Sequence, residues 1–145
     1  MKKLGLILFT SLLTSLAHAA TEFKNVEDAV KKLKAYTIAD IEGDKARLKE
    51  GKTLKIDQMF DDLEGAVKLA EKNTLSEDLV HQMERVAIIT FINDPSAFAV
   101  SDIMLPLYQK NKELFKKAAE KLHSTDRALI LETLDEQDKA LSDGD

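Results

Sequence analysis

Apolar residues recur at intervals of three and four along most of this 145-residue chain. No stretch of strand length alternates apolar with polar residues over β-branched positions. Spacing of this kind lines one side of a helix. Phe23, Val26, Val30 and Leu33 form the first stripe, which runs on through Tyr36, Ile41 and Leu48. Ile56, Phe60, Leu63, Val67 and Ala70 form the second. Leu79, Met83, Val86, Thr90 and Phe91 form the third, widened by Val80, Ala87 and Ile88, which marks this helix as the central one. Leu107, Leu114, Phe115, Ala118 and Leu122 form the fourth, and Leu129, Ile130, Leu134 and Leu141 the fifth. With only five Gly and two Pro, a fold rich in tight β-turns is excluded. The fold class is therefore all-α, an antiparallel helical bundle of four to five helices.

Start and stop signals divide the stripes. Asn25 with Asp28, and Thr74 with Glu77, have the spacing of capping boxes. Glu42-Gly43-Asp44 is placed to bend or break the first segment, because a mid-helix Gly costs about 1 kcal/mol against Ala. Gly51 sits where a helix ends on a left-handed residue, and Asn73 is expected to do the same. Asn93-Asp94-Pro95 stops the third helix and starts a short one carrying Phe98. Ser101 or Asp102 restarts the chain just before Pro106, since proline is tolerated only in a first turn. Ser124 is the expected cap of the last helix, Ala20 to Lys24 a loose lead-in, and Ser142 to Asp145 a frayed tail.

The stretch Ile103 to Leu122 resembles a single HEAT-type unit. Leu105-Pro106 falls in its first helix, a turn lies near Asn111, and Phe115-Lys116-Lys117-Ala118-Ala119 with Leu122 falls in its second. The resemblance implies an alternative architecture, a short α-solenoid of helical hairpins.

The first nineteen residues read differently. Lys2 and Lys3 precede an apolar run from Leu4 to Leu16, and Ala17-His18-Ala19 supplies the small residues that a signal peptidase reads. Residues 1–19 are thus expected to be a secretory signal peptide cut between Ala19 and Ala20, leaving 20–145 as a single helical domain. The run is shorter than the about 20 apolar residues of a membrane span, and no Cys follows it to take a lipid. Its form is that of a bacterial leader, directing export to the periplasm or beyond.

Two of the 21 basic residues lie in that leader and no acidic ones do, which leaves 19 against 26, a net charge of −7. A generic nucleic-acid or anionic-membrane binder carries the opposite sign. Absence of Cys removes disulfides, thiol catalysis, Cys-ligated zinc, iron–sulfur clusters and covalently attached haem. Stability must come from packing.

Few residues suggest chemistry. Glu77, His81 and Glu84 lie at i, i+4 and i+7, a spacing that could hold a divalent ion. The plainer reading is a solvated face, with His81 exposed opposite the Leu79–Met83–Val86 line, and no metal is assigned. Di-iron bundles need Glu-x-x-His on two helices, whereas this chain has His81-x-x-Glu84 once. Counted as a calcium loop from Asp40, position six is Lys45 and twelve is Gly51, so the EF-hand pattern fails. Non-covalent haem of the b-type cytochrome kind needs His or Met ligands facing a core. His81 and His123 lie off the apolar stripes, and Met59, Met83 and Met104 read as core fillers. Gly-x-Ser-x-Gly, His-Glu-x-x-His and phosphate-loop motifs are missing, and Asp61, Asp62 and Glu64 read as the outer face of the second helix. The expectation is a non-enzymatic exported protein, without cofactor, that binds another protein. Phe91, Phe98, Leu105 and Leu107 are the candidate contact residues. The alternative is a non-covalent metal or haem carrier using His81.

Overall fold

A computed structural model describes residues 19–93 and 98–143. The leader before Ala19 and the Asp94-Pro95 start signal lie outside the described residues. Among the described residues the chain is all-helical and has no strand. The helices are α1 (Val26–Lys34), α2 (Ile38–Glu42), α3 (Asp44–Lys49), α4 (Lys55–Lys72), α5 (Glu77–Asn93), α6 (Phe98–Lys110), α7 (Lys112–Ala119) and α8 (Ser124–Ser142). No helix among the described residues is long and apolar enough to cross a membrane.

The bundle has an internal order. Successive long helices touch, α1 with α4, α4 with α5, and onward to α8. Beyond that, α1 packs on α5 and α5 on α7, while α4 packs on α6 and α6 on α8. The helices therefore form two layers, α1–α5–α7 and α4–α6–α8, and each hairpin stacks on the next. The turn that the HEAT-like reading placed near Asn111 divides α6 from α7.

Helix α5 touches α1, α2, α4, α6, α7 and α8. Its Leu79, Val80, Met83, Val86, Ala87, Ile88 and Ile89 are all buried. A helix apolar around most of its circumference belongs inside a domain, so the third stripe was rightly read as central. Leu33, Met59, Leu63, Met104, Phe115, Ile130 and Leu134 pack about it from the other helices. Tyr108 and Phe115 meet edge to face with ring centroids 5.4 Å apart.

Several boundaries follow the sequence signals. Asn25 Oδ1 accepts from the Asp28 amide at 2.9 Å and caps α1. The chain breaks at Gly43, between α2 and α3. Gly51 has φ +66°. Its amide reaches Leu48 O at 3.2 Å while Lys52 N reaches Arg47 O at 3.0 Å, the paired bonds of a Schellman motif.

Other boundaries correct them. Asn73 is extended at φ −131°, not left-handed. It closes α4 by donating its side-chain amide to Leu69 O at 2.8 Å. The residue capping α5 is Ser76, whose Oγ accepts from Leu79 N at 3.2 Å, rather than Thr74. His123 takes the N-cap position of α8, one residue before Ser124. No restart occurs at Ser101 or Asp102, since α6 runs unbroken from Phe98 to Lys110 with Pro106 inside it. Packing of Met104, Leu105, Leu107 and Tyr108 into the core outweighs the one ladder bond that a proline removes.

Two buried carboxylates tie distant segments together. Asp44 accepts from the amides of Lys55 at 2.8 Å and Ile56 at 3.0 Å, the first residues of α4. It also accepts from Arg47 at 2.9 Å. This side chain caps a helix that begins eleven residues later. Burial pushes the Asp44 carboxyl up, but those donors outweigh it and hold its pKa below the ordinary range. Asp62, expected on an outer face, is buried. Its oxygens accept from Tyr36 Oη at 2.6 Å and Thr21 Oγ1 at 2.5 Å. Burial and that acceptor together raise the Tyr36 pKa above the ordinary phenol value.

Thr21 shows that the lead-in is docked rather than loose. Its amide donates to Asp61 O on α4 at 2.9 Å, and Phe23 packs against the core. Gly65 makes room for this strap. A Cβ there would lie 2.0 Å from Thr21 O. Substituting Gly65→Ala should undock residues 20–23 and cost about 1–3 kcal/mol, the usual range for forced overpacking. Hydrogen exchange tests it: the Thr21 amide should lose protection in the variant while Leu63 and Val67 keep theirs.

Candidate binding cleft

The α5 face away from the Leu79–Met83–Val86 line forms one wall of a cleft of about 670 Å³. Thr37, Ile38 and Ala39, at the start of α2, form a second wall. Lys121, Leu122 and His123, between α7 and α8, close it together with Asp126 in the first turn of α8. From α5 come His81, Arg85, Ile88, Ile89 and Ile92. These are spaced i, i+4, i+7, i+8 and i+11, so they share one side of the helix.

Local chemistry fixes the walls. The Thr37 amide and hydroxyl both donate to Asp40 Oδ2, at 2.8 and 3.1 Å. That reciprocal cap starts α2 and leaves Ile38 on the cleft. Ile88 and Ile89 are buried and make the floor, whereas Ile38 is 44 % and Ile92 54 % exposed. Arg85 is half-buried. Its Nη1 donates to Gln82 Oε1 at 2.7 Å and its Nη2 to the Tyr36 carbonyl at 3.2 Å. Both acceptors are neutral. Lys121 is tied to Glu77 at 2.9 Å and Asp78 at 3.1 Å.

The structure separates the three residues proposed as metal ligands. Glu77 bridges Lys117 and Lys121, each at 2.9 Å. Hydrogen bonds from Lys121 and then Lys117 hold its carboxyl below the ordinary Glu range. His81 is half-buried at the cleft, not exposed. Desolvation lowers its pKa, opposed by a hydrogen bond with the Ala118 backbone, and its Nδ1 is buried without a partner among the described residues. Glu84, read as solvated, is 0 % exposed. Among the described residues no three His, Cys, Asp or Glu side chains converge to hold a metal ion.

The proposed contact residues divide as well. Leu105 and Leu107 are buried in the core and offer no open surface. Phe91 is half-buried against the same core. The Phe98 side chain lies outside the described residues. The cleft residues were missed because they come from three segments far apart in sequence. One signal was present: Ile88, Ile89 and Ile92 lie off the main stripe of their helix, which gives α5 a second apolar side.

Compared with known protein families, curated proteins and solved structures, this chain matches none.

Glu84 remains as a buried group with an electrostatic consequence. Neither carboxyl oxygen has a partner among the described residues, and desolvation pushes its pKa up to about 8. At neutral pH it is protonated when folded and ionised when unfolded. Stability from this group is complete below its unfolded value of 4.5 and is lost as pH rises towards about 8. The slope is about 1.4 kcal/mol per pH unit. Urea unfolding between pH 5 and 8 should show this decline in the wild type and a flatter profile in Glu84→Gln. Equal pH dependence in the two proteins would contradict it.

Proposed function

We propose that the protein is exported, with residues 20–145 as its mature form, and acts without catalysis by binding another protein. The cleft between α2, α5 and the start of α8 is its contact surface. One observation carries this reading: Ile38 and Ile92, two large exposed apolar side chains, line a cleft floored by Ile88 and Ile89. Exposed apolar side chains grouped in a concave surface favour a binding role over scattered surface exposure. The leader-like residues 1–19 support export to the periplasm or beyond.

A peptide-display selection against residues 20–145 tests the reading. Selected peptides should bind the wild type and weaken about tenfold or more on the Ile38→Ala/Ile92→Ala double variant, as expected of an apolar anchor. Because both side chains are exposed, the variant's unfolding free energy should stay within about 1 kcal/mol of the wild type. Absence of any enriched peptide, or equal affinity for the double variant, would overturn the reading.

A second reading, a non-covalent metal or haem carrier, is favoured by a single observation: His81 and His123 line the same cleft. It requires one equivalent of ferric haem or zinc to bind and His81→Ala to abolish that binding. Absorbance titration for haem and calorimetry for zinc decide it.

A further inference from the structure

We infer that the cleft selects partner segments in which a carboxylate stands beside apolar side chains, with Arg85 as the group that receives the carboxylate. The inference rests on the cleft being a protein-binding surface and adds the chemistry of what enters it.

Arg85 sits on the same side of α5 as the apolar residues of the cleft, one turn before Ile88 and Ile89. Its guanidinium is already positioned by Gln82 Oε1 at 2.7 Å and the Tyr36 carbonyl at 3.2 Å. Neither acceptor carries charge, so both fix the orientation, and among the described residues no carboxylate pairs with the cation. A guanidinium has five N–H donors in a planar fork, and the two bonds to neutral acceptors leave donors for a carboxylate. Pre-positioning also reduces the entropy lost on pairing.

The other cation on the cleft behaves differently. Lys121 is already paired with Glu77 and Asp78, so a ligand must compete for it. Among the described residues Asp126 is the one carboxylate lining the cleft. No ion pair joins it to Arg85 or Lys121 among the described residues. Among the described residues the cleft thus offers one oriented positive charge without a carboxylate partner, Arg85, against a protein whose mature net charge is negative. Half-burial strengthens the attraction, because solvent screens a charge pair less there than on an open surface.

The apolar floor narrows the ligand further. A small inorganic anion would gain from Arg85 but nothing from Ile88, Ile89 or Ile92. A purely apolar segment would fill the floor and leave the guanidinium partly desolvated without a carboxylate, which carries a penalty. A segment with a Glu or Asp flanked by large apolar residues satisfies both.

The test uses the peptides selected by display on the wild-type domain. Acidic residues should be enriched at a fixed spacing from the apolar anchors. Resynthesis with that acid changed to its amide should weaken binding to the wild type by about tenfold, the scale of a charge-assisted hydrogen bond. The same change should have little effect on binding to Arg85→Gln. Should Arg85→Gln lose its fold, the acid-to-amide comparison on the wild type still decides. Peptides that bind without an acid, and equally well to wild type and Arg85→Gln, would overturn the carboxylate inference and leave the binding surface standing. Failure to select any peptide would remove both.

Discussion

The burial of α5 is the constraint on which the other helices depend. Six other helices touch it, and none of the short ones could hold its shape alone in water. An isolated helix of eight or nine residues, such as α7 or α1, lacks the hydrogen bonds to offset the entropy of its nucleus. Each gains its order by covering part of α5. The chain has no Cys, so no cross-link shares this role. The hub also carries Glu84 in its buried surface, a polar group without a hydrogen-bond partner among the described residues.

Away from the hub, carboxylates do what apolar contact cannot. Apolar packing is non-directional and tolerates small slides. Hydrogen bonds to a buried carboxylate do not. Asp44 fixes where α4 begins relative to α3 by taking two of its first amides. Asp62 joins the strap at Thr21 to the end of α1 at Tyr36 through one side chain. On the far side, Asp135 and Asp138 of α8 accept from Tyr108, Gln109 and Lys112 around the α6–α7 turn. Each of these acids looks like ordinary surface charge in the sequence, and each sets the position of a helix end.

The cleft follows from the same geometry. On the side of α5 that holds Arg85 and Ile92, the cleft is bounded among the described residues by short elements, the start of α2 and the α7–α8 turn. A five-residue helix and a turn cannot cover three turns of a long one. The apolar residues left over become a concave surface, and the guanidinium among them is oriented by neutral groups that the fold brings to it.

The sequence by itself determined the helical class, the identity of the central helix, the cap at Asn25, the break at Gly43 and the left-handed end at Gly51. These depend on local spacing and on backbone preferences acting within a few residues, so they are legible in one dimension. Tertiary structure alone decided that Asp62 and Glu84 are inside, that Thr21 is strapped over Gly65, and that α6 continues through Pro106. It also joined residues 37–39, 81–92 and 121–126 into one cleft. A charged residue reads as solvated until another segment's atoms cover it. A proline reads as a stop until burial of its neighbours outweighs the lost bond. Both outcomes depend on contacts between residues distant in the chain, and helical periodicity carries no record of them.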